Sequence, residues 1–182
     1  MADLTTLPHH LDSARQSCRA IVETPRGRRS KFDYDPESGL FELGGLLAEG
    51  MAFPLDFGFV PSTLGEDGDP LDVLVLTDEP TFVGCLLTVR LLGVMEAEQT
   101  EDGRTARNDR LLAVAESSYL YEKISHVDQL PGAVVEQLQQ FFVNYNAAKG
   151  KQFEVLAVRG PGRAAELVRQ GSEALRRKQA GH

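Results

Sequence analysis

Up to residue 133 the apolar runs are strand-like and punctuated by turn signals, and helical periodicity begins only at Val134. CRAIVE (18–23), KFDYD (31–35) and LFEL (40–43) are separated by TPRGRRS (24–30) and PESG (36–39), whose Pro, Gly and Ser residues favour turns. MAFPLDFGFVPSTLG (51–65) holds Pro54, Gly58 and Pro61 among aromatics, which predicts irregular backbone or a short strand. LDVLVL (71–76), CLLTVRLLGVMEAEQ (85–99) and RLLAVAE (110–116) read as further strands, and Asp102-Gly103 is a hairpin signal. Then VVEQLQQFFVNY puts Val134, Val135, Leu138, Phe141, Phe142 and Tyr145 on one helical stripe, with Pro131 at its start and Gly150 past its end. FEVLAV (153–158) is a last strand, and GRAAELVRQGSEALRRK (162–178) a C-terminal helix that Gly171 should weaken. Strands first, then helix, strand, helix is an α+β order. It predicts a small, closed or nearly closed antiparallel barrel with flanking helices. A chain of 182 residues holds one domain with a sizeable core, here 18–182 after a polar lead-in at 1–17.

Against this frame one stretch is unusual. GEDGDPLDVLVL (65–76) crowds Asp67, Asp69 and Asp72 against an apolar strand, although neighbouring carboxylates resist ionising together. An EF-hand loop does not fit: with Asp67 as position 1, position 5 is Leu71 and the glycine expected at position 6 is Asp72. Two readings stay open, a solvated turn and a site for a hard cation, Mg²⁺ or Mn²⁺. Asp72 lies inside the strand, where a carboxylate needs a counter-ion or hydrogen bonds. The net charge of −8 disfavours nucleic acid and anionic membrane surfaces as partners. Cys18 and Cys85 belong to no motif and read as thiols of a reducing compartment. The start, MADLTTLPHHLDS, lacks the apolar core of a signal peptide, and no run reaches the ~18 apolar residues of a membrane span. The expected location is the cytoplasm.

Three further polar sets accompany the aspartates. Glu98, Glu101, Asp102, Asn108, Asp109 and Arg110 surround one turn; Glu23, Arg26, Arg28, Arg29, Lys31 and Asp33 surround another; Tyr145, Lys149 and Lys151 follow the helical stripe. Lys31 and Asp33 share a strand face, because the side-chain period is two. Each set alone has a plain structural reading: a hairpin tip, the guarding charges of an edge strand, a core tyrosine followed by surface lysines. Together they offer carboxylates for a divalent metal and cations for an anion, without a P-loop or a Ser or Cys nucleophile motif. That combination points to metal-assisted phosphoryl chemistry.

Asp67-Gly68-Asp69-Pro70-Leu71-Asp72 also resembles the signature of the Mg²⁺-dependent soluble inorganic pyrophosphatases, D-G-D-P-apolar-D. The likeness extends over roughly 20–158: a Glu in the first strand, K-x-acid in the second, D-x-E-S-G in the turn, F-P-x-x-aromatic-G-aromatic before the signature, and F-F-x-x-Y…K-G-K after the helix. It implies a five-stranded OB-like barrel, hydrolysis of diphosphate to two orthophosphates with Mg²⁺ (or Mn²⁺), and a homohexamer. Transferred residue by residue, Asp67 and Asp72 bind the tightest metal, Asp69 takes the proton of the attacking water, and Asp102 binds a further metal. Asn108 stands where the resemblance places a metal-ligand aspartate, with Asp109 one place on. Lys31, Arg110, Tyr145 and Lys151 contact phosphate, and Glu23 and Asp33 reach the waters around the metals. The chain departs from the pattern at Gly44-Gly45, where an arginine is expected, at Phe53 and Phe57 in place of tyrosines, and at Asn146 in place of lysine. Arg26, Arg28 and Arg29 are candidates to replace the absent cation. The alternatives are a hydrolase of another phosphoanhydride (a nucleotide or a short polyphosphate), a non-catalytic descendant that binds metal and phosphate, and a structural domain.

Overall fold

A computed structural model describes residues 3–181. In chain order its elements are β1 (Ser17–Thr24), β2 (Ser30–Asp35), β3 (Leu40–Leu46), β4 (Asp56–Val60), β5 (Leu71–Leu76), β6 (Leu86–Glu101), β7 (Arg104–Arg107), β8 (Arg110–Ala115), α1 (Gly132–Ala147), β9 (Gln152–Arg159) and α2 (Pro161–Ala180). Strands β1, β4, β5, β8 and β6 pair in that order, and β6 pairs back with β1, closing a five-stranded ring. The long β6 runs past the ring to pair with β7 and β9, while β2 and β3 form a separate hairpin. The predicted α+β barrel with flanking helices is what forms, with one departure: β5 and β8 run parallel. They can do so because β6 and β7 carry the chain across between them, the long crossover that any parallel pair requires.

The apolar runs close two cores. Val73 and Val75 join Cys18, Ala20, Val60, Val89, Leu91, Leu111 and Ala113 in a cluster that includes Ala164, Ala165 and Val168 of α2. Their neighbours Leu74 and Leu76 point to the other side, where Leu112, Val114, Leu138, Phe142 and Phe153 gather. The alternation explains why LDVLVL carries no polar residue after Asp72: both of its faces are buried. On α1 the predicted stripe is the packed face, with Leu138, Phe142 and Tyr145 buried and Val134, Val135 and Phe141 partly so. Asp102 and Gly103 both have positive φ, 49° and 73°, as a two-residue turn matched to strand twist requires.

Gly171 has a role that its helix propensity conceals. A Cβ there would lie 3.0 Å from Leu71 Cδ1 and 3.1 Å from Thr63 Cβ, and the Leu64 N–H donates to its carbonyl at 3.0 Å. The close approach lets α2 hold the segment that leads into the aspartate loop.

Asp56 is fully buried and accepts four hydrogen bonds, from the Arg26 and Thr81 N–H groups and from the Thr77 and Thr81 hydroxyls, at 2.7–3.4 Å. Asp56→Ala would orphan these donors. Each buried unsatisfied group costs about 1–3 kcal/mol, so a loss of about 3 kcal/mol or more is expected in urea unfolding. A loss under about 1 kcal/mol would show that water replaces the carboxylate.

Candidate active site

Two β-bulges and the parallel strand pair bring the polar sets to one end of the barrel. In β1 the register slips between Val22 and Thr24, so Glu23 is the extra residue and its side chain is re-aimed. The Glu23 carboxylate accepts the Tyr34 N–H at 2.8 Å. In the β2–β3 hairpin the slip between Lys31 and Phe32 makes Gly44 the extra residue. A Cβ at Gly44 would collide with the Asp33 carboxylate, so a larger residue there would displace Asp33. Lys31 and Asp33 share a face and form an ion pair.

The parallel register sets Asp72 beside Arg110, and Arg110 Nη1 lies 2.5 Å from Asp72 Oδ2. Arg110 is 5% exposed. Its guanidinium carbon lies 5.1 Å from the Phe142 ring centroid and 5.4 Å from that of Phe153. Nη1 also donates to the Asn108 side chain and to the Asn108 and Asp109 carbonyls. Nε is buried and has no hydrogen-bond partner. A buried, orphaned guanidinium N–H is a donor awaiting an acceptor.

The aspartate loop is shaped by backbone. The Gly65 N–H donates to the Asp69 carbonyl at 2.7 Å, and the Asp69 N–H to Asp67 Oδ1 at 3.2 Å. Gly68 has φ +96°, which a side chain would strain.

These groups line a cavity of about 460 Å³. Of the residues singled out in the sequence, Glu23, Lys31, Asp33, Asp67, Asp69, Asp72, Asn108, Arg110, Tyr145 and Lys151 border it. Asp102 does not; it borders an adjoining depression that Asp67, Glu101 and Asn108 share. Asp109 is turned elsewhere. Its carboxylate accepts from the Ala97 N–H at 2.9 Å and from Arg107 at 2.8 Å, beside a third cavity that also borders α2. So Asn108, not Asp109, borders the cavity that holds Asp69 and Arg110, while Asp109 shares only that third cavity with Asp67 and Asp72. Arg26, Arg28 and Arg29 do not replace the absent cation. Arg26 binds the Thr77 and Asp78 carbonyls, Arg29 binds Glu49 and the Leu47 carbonyl, and Arg28 borders a groove with Phe82. Asn146 borders the cavity as well, but it is buried and its amide donates back to the Phe142 carbonyl.

Glu101 and Lys149, members of the polar sets to which the resemblance gives no role, border the cavity too, and so does Gln99, which sequence reasoning passed over. Gln99 and Glu101 lie two apart on β6, so the strand period could have singled them out. Lys151 reaches across to Glu101 at 2.8 Å.

Burial leaves the carboxylates short of compensating charge. It pushes Glu23 up to about 7, against the pull of the Tyr34 N–H and Lys31, with Asp72 and Asp69 adding to the rise. It pushes Asp67 up to about 6 and raises Asp72, whose shift Arg110 and Lys31 oppose. Among the described residues the side chains around the cavity that could ligate a metal offer oxygen atoms, and no thiol or imidazole lines it, which suits a hard divalent cation. Among the described residues no three His, Cys, Asp or Glu side chains already form a closed cage. A cation here would keep several waters, as small hard ions do.

The Glu23 shift has a measurable sign. Its folded pKa lies above the unfolded value of about 4.5, so it favours folding at low pH and loses that contribution as pH rises through about 7. In chelator, the melting temperature of Glu23→Gln is expected to fall less than that of the unaltered chain between pH 5 and 8. Parallel curves in differential scanning calorimetry would refute this.

Comparison with known proteins gives one consistent answer. The family model described as "Inorganic pyrophosphatase" matches residues 20–176. The chain is 36% identical over 172 residues to the inorganic pyrophosphatase of Thermus thermophilus, covering 93% of this chain and 95% of that one. It is 34% identical over 156 residues to that of Methanosarcina acetivorans, covering 86% and 90%. The crystal structure of inorganic pyrophosphatase from Thermus thermophilus superposes with a TM-score of 0.87 at 33% identity, covering 96% of this chain and 99% of that one.

Proposed function

The chain belongs to the inorganic pyrophosphatase family, and from that premise we propose that it hydrolyses diphosphate to two orthophosphates in the cavity between the aspartate loop and Arg110. The observation that carries this reading is the meeting of under-compensated carboxylates with a buried Arg110 whose Nε lacks a partner. One group fits metal and the other fits phosphate. Another phosphoanhydride as the preferred substrate is not favoured, since the relatives named above are all inorganic pyrophosphatases.

Family membership brings a divalent metal cofactor, which we take to be Mg²⁺. Asp67 and Asp72 would hold it, with Asn108 beside them and Asp102 holding a further ion at the neighbouring depression. When bound, a divalent cation neutralises phosphate oxygens and lowers the pKa of a water from 15.7 towards about 7. Asp69, exposed on the loop, accepts the proton of the attacking water. Arg110 directs its N–H groups at phosphate oxygens from beside the Phe142 and Phe153 rings. The Tyr145 hydroxyl, pushed up to about 12 by burial, stays protonated and donates to phosphate. Lys31 and Lys151 add positive charge, and Glu23 and Asp33 accept from waters around the metal. Assembly as a hexamer and residence in the cytoplasm complete the reading. No helix of the described residues is long and apolar enough to cross a membrane.

Phosphate release from diphosphate, with Mg²⁺ and with chelator, tests the function. Rapid release that chelator abolishes is expected. Release equal in both conditions, or none with Mg²⁺ bound to folded protein, would overturn it. Sedimentation gives the assembly.

A further inference from the structure

Four cationic side chains border the cavity, Lys31, Arg110, Lys149 and Lys151. Three of them are engaged by carboxylates: Lys31 by Asp33, Arg110 by Asp72, and Lys151 by Glu101. Among the described residues, Lys149 has no carboxylate within ion-pair distance. Its ammonium group donates to Tyr145 Oη at 2.6 Å and lies 4.4 Å from the centre of that ring. An ammonium group has three N–H donors, so two remain. Lys149 is exposed at the rim, one helical turn beyond Tyr145, where the chain leaves α1 and turns at Gly150 with φ +74°.

We propose that Lys149 is a further substrate-binding residue, contacting a phosphate oxygen directly beside the Tyr145 hydroxyl. The proposal rests on reading this cavity as the diphosphate site. Its hydrogen bond to Tyr145 Oη occupies an acceptor position of that oxygen and leaves the hydroxyl proton free to turn towards the same anion. Lys149 and Tyr145 therefore present adjacent donors, one charged and one neutral. The neighbouring cation Lys151 lowers the Lys149 pKa after burial does, and Glu101 pulls against them. An arriving dianionic phosphate relieves that crowding. The absence of a carboxylate partner also gives Lys149 an advantage over Lys151, which must leave Glu101 before it can bind phosphate.

The test compares Lys149→Met, Lys149→Arg and Tyr145→Phe, and the Lys149→Met, Tyr145→Phe pair, in steady-state hydrolysis with Mg²⁺. In parallel, calorimetry measures binding of methylenediphosphonate, a non-hydrolysable diphosphate. Loss of one charge-assisted hydrogen bond predicts a rise in KM and in the analogue's Kd of about ten-fold in Lys149→Met. The melting temperature should not change, and Lys149→Arg should recover most of the affinity. The same ten-fold step should persist in the Tyr145→Phe background. KM and Kd within two-fold of the unaltered chain would overturn the proposal. So would a step that vanishes in Tyr145→Phe, since Lys149 would then act only through the hydroxyl. Were the unaltered chain to release no phosphate, the functional reading would fall, and the analogue comparison would still decide whether Lys149 binds a diphosphate.

Discussion

Asp69→Asn is expected to lower kcat for diphosphate hydrolysis by about 10²–10⁴, the usual contribution of a positioned general base, and to leave the fold intact. The two halves of this expectation have separate causes. The loop is held through backbone atoms of residue 69, whose carbonyl accepts the Gly65 N–H and whose own N–H reaches Asp67. Asparagine keeps both. Among the described residues the Asp69 carboxylate has no hydrogen-bond or ion-pair partner, and its charge only adds to the repulsion that raises Asp67 and Asp72, so no contact that holds the loop depends on it. It does border the cavity, and an amide in its place accepts no proton. Phosphate release and thermal melting, measured on the same preparation with Mg²⁺, separate the two halves. A kcat within ten-fold of the unaltered chain would remove Asp69 from the role of base. A large fall in melting temperature would show that the loop needs the charge after all.

The sequence showed the site's contents better than its geometry. Asp67, Asp69 and Asp72 stand out because like charges beside a buried strand demand an explanation, and that demand can be read from a single chain. The partner of Asp72 cannot be read in the same way. Arg110 is 38 positions away in sequence and becomes its neighbour only because β5 and β8 run parallel. Alternating apolar runs with hairpin signals suggested antiparallel pairing throughout, and periodicity carries no information on strand direction. Bulges were hidden for a related reason. Glu23 reads as one more position of β1 until a one-residue slip re-aims it, and Gly44 reads only as the place of a missing arginine until the Asp33 carboxylate is seen to need its space. The choice between Asn108 and Asp109 is likewise a matter of which of two adjacent side chains the β7–β8 connection turns towards the cavity with Asp69 and Arg110. Gly171 is a different case: helix propensity marks it as a weakness, while its missing side chain lets α2 approach Thr63, Leu64 and Leu71 closely. In each case local chemistry was legible and the deciding contact was long-range.

Arg110→Met tests the long-range pair at its centre. Methionine keeps an unbranched apolar stem beside Phe142 and Phe153, so the aromatic contacts survive in part. It removes the counter-ion of Asp72, the donor to the Asn108 side chain, and the guanidinium offered to phosphate. Breaking a buried pair by deleting one partner costs about 3–5 kcal/mol when the remaining charge stays ionised. Asp72, already raised by burial, would instead take up a proton in the metal-free variant, which limits the loss. The metal-free variant should therefore be less stable than the unaltered chain at pH 8 and closer to it at pH 5. Mg²⁺ should restore stability at pH 8, because a bound cation supplies the charge that Arg110 gave Asp72. Activity should not return with it: kcat/KM is expected to stay down about 10²-fold or more, since the buried phosphate donor is gone. Melting curves at the two pH values, with and without Mg²⁺, and kcat/KM at saturating Mg²⁺ distinguish the contributions. If kcat/KM came back together with stability, Arg110 would serve only as the structural counter-ion of Asp72, and the phosphate would have to be gripped by Lys31, Tyr145 and the lysines of the rim.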